Sequence, residues 1–363
     1  MLADPAQDRR FMAAAIRLSL RHLGRTATNP SVGTLIVDDR GVIVGRGVTA
    51  VGGRPHAEPQ ALAQTGEGAK GATAYVTLEP CAHHGRTPPC ANALVAAGIR
   101  RVVGAAVDPD PRVAGRGYAI LRDAGIEVTE GVLATEAAEA MAGYLMRSLR
   151  KRPHVTVKLA LSADGMIGRE GEGQLPITGA VARAQVQMMR AASDAIMVGI
   201  NTALADDPLL TVRLPGLETR SPTRIVLDRN SRLPRASKLV QTVRDVPVRV
   251  AARAGNERRA ALEAEGVGVL AVEDFEGRIA MPELLEDLAA QGIANLFVEG
   301  GAATVEALLD DGLVDSLVLF RGQLRVGAGG VASPVAWDVP PAGFRLVRES
   351  RFGDDLCREW RRG

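Results

Sequence analysis

A chain that must bring one histidine and two cysteines to a single point has few ways to fold around them. Residues 56 to 90 carry such a set: His56-Ala57-Glu58, then Cys81 and Cys90 separated by Ala82-His83-His84-Gly85-Arg86-Thr87-Pro88-Pro89. Catalytic zinc usually takes three protein ligands and keeps a position for water, whose pKa falls to about 7. His56, Cys81 and Cys90 supply that number. A structural site with four protein ligands would need another donor, and with Cys357 far along the chain only His83 or His84 is near in sequence. Pro88-Pro89 opens a predicted helix that places Cys90 in its first turn, where the helix dipole favours a thiolate. Glu58, two residues past the histidine, is the natural proton carrier for a water held there.

The elements around this set form an alternating pattern. Asp8 to His22 has Phe11, Met12, Ala15, Ile16 and Leu20 at helical spacing, with Asp8 expected as the cap. Val32–Val37 and Val42–Val48 read as a hairpin across Asp38-Asp39-Arg40-Gly41. A helix is expected from near His56, a strand over Thr73–Leu78, a helix from Pro88-Pro89 to Gly98, a strand over Arg101–Val107, a helix around Tyr118–Ala124 and a strand over Ile126–Thr129. Strand–helix alternation predicts an α/β layer structure, and both cysteines fall where a strand ends or a helix begins, the side on which open α/β sheets hold ligands. The basic run Arg147-Ser148-Leu149-Arg150-Lys151-Arg152-Pro153 is read as a linker, with a helix end followed by a turn as the other reading of the same boundary. Beyond it, strands near Val155, Ala195, Arg224, Val246, Val267, Leu296 and Leu317 alternate with helices near Val181, Glu257, Pro282 and Thr304, a second α/β domain. The expected domains are therefore residues 1–150 and 151–363.

Composition narrows the functional classes. With 44 basic and 42 acidic residues and no single-sign block, the chain lacks the charge excess of a nucleic-acid binder. Aromatic residues make up 3 %, too few for base-stacking platforms, which also weakens a reading as a zinc-stabilised nucleotide-binding protein. Met1–Gln7 does not read as a signal peptide and no apolar run is long enough to span a bilayer, so a cytoplasmic protein without membrane association is expected. Three cysteines are too few for a disulfide framework and fit metal binding better.

A histidine and two cysteines on the metal with a glutamate off it is the division of labour of zinc deaminases. The eight-residue spacing between Cys81 and Cys90, and the stretches Asn29-Pro30-Ser31-Val32-Gly33, Tyr75-Val76-Thr77-Leu78-Glu79-Pro80 and Asp108 to Gly117, resemble the bifunctional deaminase–reductase family of riboflavin biosynthesis. Lys158 to Gly165, Asn201 to Arg213 and Val298-Glu299-Gly300-Gly301 are similar to its reductase half. The resemblance implies a cytidine-deaminase-like three-layer domain followed by a dihydrofolate-reductase-like α/β domain. It implies zinc-dependent hydrolysis of the 2-amino group of a phosphoribosylated diaminopyrimidine, then NADPH-dependent reduction of the ribosyl group to a ribityl chain.

By position, His56, Cys81 and Cys90 would hold Zn2+ and Glu58 would be catalytic. Asn29, His83 and Arg86 would contact the deaminase substrate, a small phosphorylated pyrimidine. Ala160, Thr202, Asp206 and Gly301 would line the NADPH site. Lys158, Arg190, Leu210, Arg213 and Glu299 would face the reductase substrate, with Lys158 as polar partner of the reacting sugar. A homo-oligomer without nucleic-acid or membrane partners is expected. The chain departs from the family pattern at Arg86, where Lys is usual, and at Thr49, where His is common. Gln174, Pro176 and Gly179 stand for a usual Ser, Trp and Ser, and Arg229 for a Ser. No Gly-x-Gly-x-x-Gly follows a strand in the second half, so a nicotinamide cofactor there would not be held by a Rossmann fingerprint.

Overall fold

A computed structural model describes residues 4–83, 88–110, 113–253, 257–275 and 277–363. The chain forms two compact units, Met1–Arg150 and Lys151–Gly363.

The first unit comprises α1 (Pro5–Ser19), β1 (Gly33–Val37), β2 (Ile43–Val48), α2 (Ala57–Thr65), β3 (Thr73–Leu78), α3 (Cys90–Ala96), β4 (Arg101–Ala106), α4 (Arg116–Asp123), β5 (Glu127–Thr129), α5 (Ala134–Ala140) and α6 (Ala142–Arg150). Its sheet runs β2-β1-β3-β4-β5. β1 is antiparallel to β2 and β3, while β3, β4 and β5 are parallel. Helices α1 and α5 pack on one face, α2 on the other with α3 and α4 beside it, so the unit has three layers. β1, β3 and β4 are buried along nearly their whole length, as expected of strands covered on both faces.

Two sequence expectations change here. Helix α1 starts at Pro5, and Asp4 rather than Asp8 is its cap, accepting a hydrogen bond from the Ala6 N–H at 2.9 Å. Asp8 lies a turn further in and faces the sheet. There the Arg101 guanidinium donates to both of its carboxylate oxygens at 2.8 Å and the Tyr75 hydroxyl donates at 3.0 Å. The basic run at 147–153 is not all linker: α6 continues through Arg150, which favours the helix-end reading.

The second unit comprises β6 (His154–Leu161), β7 (Met166–Arg169), α7 (Ala180–Ala191), β8 (Ala195–Gly199), α8 (Ile200–Asp206), β9 (Thr223–Leu227), α9 (Lys238–Gln241), β10 (Val248–Arg253), α10 (Glu257–Ala264), β11 (Gly268–Val272), β12 (Asp274–Phe275), β13 (Arg278–Ile279), α11 (Met281–Ala290), β14 (Asn295–Glu299), α12 (Ala302–Asp310), β15 (Ser316–Arg321), β16 (Gly330–Ala332), β17 (Phe344–Phe352) and β18 (Asp355–Arg362). Nine strands form one sheet in the order β11-β10-β9-β8-β14-β6-β15-β18-β17. It is parallel from β11 to β15 and ends in the antiparallel pair β18 and β17.

A core lies on each face of this sheet. One joins Val155, Val157, Leu159 and Leu161 to Leu284, Leu288, Val305 and Leu308 of α11 and α12. The other joins Ile196, Val198, Phe297 and Phe320 to α7, α9 and α10. The closing strand β17 was not legible in the sequence because it is an edge whose exposed residues are mostly charged, namely Arg345, Arg348, Glu349 and Arg351.

Candidate active site

The fold brings His56, Cys81 and Cys90 together. His56 is the N-cap residue of α2 in an extended conformation and makes no side-chain cap, which leaves its ring to point elsewhere. Cys81 follows β3 and Cys90 opens α3. The His56 Nδ1 lies 3.7 Å from the Cys81 Sγ and 3.4 Å from the Cys90 Sγ, and all three donor atoms lie within 4.8 Å of one another. With usual zinc–sulfur and zinc–nitrogen bond lengths, a tetrahedral site has a sulfur-to-nitrogen edge of about 3.6 Å. The donor set and its spacing therefore fit zinc.

A hydrogen bond links the two sulfurs. The Cys90 thiol, donating to Cys81, lowers the Cys81 pKa to about 4, and burial works against this. Cys90 is correspondingly raised, by its bond to Cys81 and by burial. The Cys90 backbone N–H also donates to the Cys81 sulfur at 3.3 Å. The bond to Cys81 raises the pKa of His56. Glu58 sits in the first turn of α2, buried, and burial followed by the negative charge of Cys81 lifts its carboxyl to about 7. A metal that makes both sulfurs thiolate replaces this hydrogen bond.

His56, Glu58 and Cys81 line a cavity of about 790 Å³ that also holds Asn29 and His83, with Cys90 buried behind them. Arg86 lies outside the described residues. Gly53, at φ +88°, is needed beside Asn29, since a Cβ there would come 2.3 Å from the Asn29 amide nitrogen. Thr49 also lines the cavity, but its hydroxyl already accepts the Val32 N–H at 2.9 Å.

Sequence reasoning gave no role to Glu79, Asp108, Asp110, Tyr144 or Arg147, all of which line the same cavity. Tyr144 donates to Asp108 Oδ1 at 2.8 Å, and the Asp110 N–H donates to that oxygen at 2.9 Å. The usable signal was the Asp-Pro-Asp turn just past β4, at the ligand-holding end of a parallel strand.

In the second unit Lys158, Arg190, Arg213 and Glu299 gather where Glu299, the last residue of β14, pairs in register with Lys158 in the middle of β6. Arg190 on α7 donates from Nε and Nη2 to both Glu299 oxygens, and from Nη1 to the Thr211 carbonyl at 3.0 Å. Burial pushes the Glu299 carboxyl up, but Arg190, Lys158 and Arg213 outweigh it and hold its pKa below the usual value. Burial lowers Lys158, with Glu299 opposing. Burial and then the Arg190 charge lower Arg213. Leu210 is buried in the segment leading to Arg213, with φ +54°.

Gly301 is the N-cap of α12, and its N–H donates to the Thr202 hydroxyl at 3.1 Å. The first turn of α12 carries no side-chain cap, leaving backbone N–H groups for an anion such as a cofactor diphosphate. Ala160 follows Lys158 on β6, past its last pair with β14. Asp206, half-buried at the end of α8, has a pKa raised by burial. This donor set fits a phosphorylated cofactor. Gln174 and Pro176 are exposed in a segment without regular structure, and the Gly179 N–H donates to Asp355 at 2.7 Å.

Fold and site together define a zinc-dependent deaminase unit joined to an α/β reductase unit. Residues 5–106 match the cytidine and deoxycytidylate deaminase zinc-binding region, and residues 153–357 match the RibD C-terminal domain. The riboflavin biosynthesis protein RibD of Escherichia coli is 40 % identical, with 97 % of this chain and 98 % of that protein aligned. RibD of Aquifex aeolicus is 39 % identical over 94 % of this chain and 92 % of its own.

Among solved structures, Acinetobacter baumannii RibD superposes with a TM-score of 0.87 at 38 % identity, covering 99 % of this chain and 100 % of its own. The Thermotoga maritima diaminohydroxyphosphoribosylaminopyrimidine deaminase/5-amino-6-(5-phosphoribosylamino)uracil reductase gives 0.87 at 32 % identity, covering 99 % of each. The chain belongs to the RibD family of riboflavin biosynthesis: a cytidine-deaminase-like domain followed by a dihydrofolate-reductase-like domain.

Proposed function

We propose that residues 1–150 deaminate 2,5-diamino-6-(5-phosphoribosylamino)pyrimidin-4-one and that residues 151–363 reduce the resulting 5-amino-6-(5-phosphoribosylamino)uracil with NADPH. The observation that carries the first step is the His56–Cys81–Cys90 donor triangle, with His56, Cys81 and buried Glu58 lining one cavity. His56 Nδ1 and the two sulfurs hold the zinc, which when bound supplies an acidified water. Glu58 takes one proton from the attacking water on its carboxylate and gives it to the ring nitrogen as the water oxygen bonds to the ring carbon; it then carries the remaining hydroxyl proton to the amino group, so that the carbon–nitrogen bond breaks, the carbonyl forms and ammonia leaves. Asn29 orients the pyrimidine edge, and His83 with Arg86 contacts the rest of the substrate.

In the second step NADPH supplies the hydride. The α12 N-terminus, Ala160, Thr202, Asp206 and Gly301 hold and orient the cofactor. Arg190 and Arg213 face the substrate phosphate with Leu210 beneath it, and Glu299 keeps Arg190 in place. Lys158, less basic than a surface lysine, gives its proton to the sugar ring oxygen as hydride reaches the anomeric carbon, which opens the ribosyl ring to a ribityl chain.

The thiols that hold zinc must stay reduced, which favours a cytoplasmic setting. Among the described residues no helix is long and apolar enough to cross a membrane. The reading includes a homo-oligomer, checked by light scattering after size exclusion. Incubation of the protein with the diaminopyrimidine substrate and NADPH should release ammonia and oxidise NADPH. Neither signal from zinc-loaded protein would sink the reading.

A further inference from the structure

We infer that Glu79 is a positioning residue of the deaminase, fixing the substrate-facing wall residues Asp108, Asp110 and Val113 to the strand end that carries the zinc-holding Cys81. The inference rests on the deaminase reading above. Glu79 follows β3 and is buried, and its backbone N–H donates to the Ala106 carbonyl at 2.9 Å, one position beyond the last β3–β4 pair. Two peptide bonds later comes Cys81. The Glu79 carboxylate turns the other way and accepts the Gly115 N–H on Oε2 and the Gly117 N–H on Oε1, each at 2.9 Å. Gly115 caps α4, so the carboxylate satisfies N–H groups at a helix start that has no side-chain cap of its own.

A second observation fixes the same junction. A Cβ at Gly117 would lie 1.9 Å from the Pro80 carbonyl oxygen, so the first turn of α4 rests directly on the peptide that precedes Cys81. The described residues on either side of this approach to α4 are also held by hydrogen bonds. The Val113 and Ala114 N–H groups donate to the Asp110 carbonyl at 2.8 and 2.9 Å, and Asp108 takes the Asp110 N–H and the Tyr144 hydroxyl. Asp108, Asp110 and Val113 line the same cavity as His56 and Cys81, and Glu79 lines it too. One carboxylate thus ties the metal-holding strand end to the wall against which the substrate must lie.

The size of the effect follows from the acceptor geometry. Glu79→Gln keeps one acceptor oxygen but turns an amide N–H₂ toward a backbone N–H, leaving a buried donor unpaired. Loss of one such bond in a buried site corresponds to about tenfold in binding. The test uses the full-length, zinc-loaded chain, with zinc content measured by metal analysis and ammonia release followed against substrate concentration. NADPH oxidation on the deaminated intermediate reports the second unit of the same molecule.

Glu79→Gln is expected to keep zinc, leave NADPH oxidation unchanged and raise the deaminase KM about tenfold, with kcat falling less than KM rises. Gly117→Ala, which leaves the carboxylate intact but pushes α4 off Pro80, should give the same KM-dominated defect, and Glu79→Asp should rescue neither. A wild-type KM in both Glu79→Gln and Gly117→Ala overturns the inference. So does loss of zinc in Glu79→Gln, which would make the residue part of metal retention instead. Absence of ammonia release from the unsubstituted protein would instead count against the deaminase reading itself.

Discussion

In the first unit a histidine, two cysteines and a buried glutamate converge, and once both sulfurs are thiolates it is a cation that balances their charge. In the second, Lys158, Arg190 and Arg213 converge on the single carboxylate of Glu299, leaving a surplus of positive charge. The first cluster is built to keep a metal. The second is built to receive an anion, and a phosphorylated substrate brings one. Charge imbalance at a buried site, more than any one residue, tells which kind of ligand completes it.

The largest test of this contrast is Glu58→Gln. It should lower deaminase turnover by about 10²- to 10⁴-fold, the usual worth of a general acid/base, while zinc content and NADPH oxidation on the deaminated intermediate stay at wild-type values. Zinc loss instead would assign Glu58 to holding the metal.

Glu299→Gln probes the other cluster. It leaves three cations facing a neutral amide and should destabilise the second unit by about 3–5 kcal/mol, read by thermal unfolding. The Glu299 pKa is held below the ordinary value of 4.5, so its contribution is fully present above that pH and is lost as pH falls through the lowered pKa. The stability gap between wild type and variant should therefore narrow below about pH 4.5. A gap that widens on acidification would contradict the ion-pair account.

Asp8→Asn removes the charge from a buried pair that does not line the cavity and should cost the first unit about 2–3 kcal/mol, as charge-assisted bonds do, with deaminase KM unchanged. A raised KM would show that this ion pair also shapes the cavity. The smallest expected effect is at Pro176→Trp. Restoring the family's aromatic surface at this exposed position should lower the KM for NADPH about threefold, within the range for one aromatic contact. An unchanged KM would mean that the cofactor does not reach that segment.

The two clusters were unequally legible. Three residues of two rare types name a metal site with little help from folding, because cysteine and histidine have few other reasons to converge. Lys158, Arg190, Arg213 and Glu299 are common residues on three different elements and the loop before Thr223, and only the resemblance grouped them. Strands with continuous apolar runs, such as Ala195–Val198, were readable, as was the helix start at Pro88-Pro89. Asp8 was misread because a local cap rule cannot see Arg101, more than ninety residues away in sequence. Glu79 stayed silent for the same reason. Its partners are backbone N–H groups, which no residue pattern records.

The strand order of the second sheet has a consequence for how the protein is made. β6 is the first strand of its unit, yet its neighbours are β14 and β15, so His154 must wait about 140 residues for its partner Asn295. The first unit pairs its strands with neighbours close in sequence and is complete at Arg150. During synthesis the deaminase can therefore close while β6 emerges with both edges unpaired. That makes the buried, apolar face of Val155 to Leu161 the stretch most in need of a chaperone.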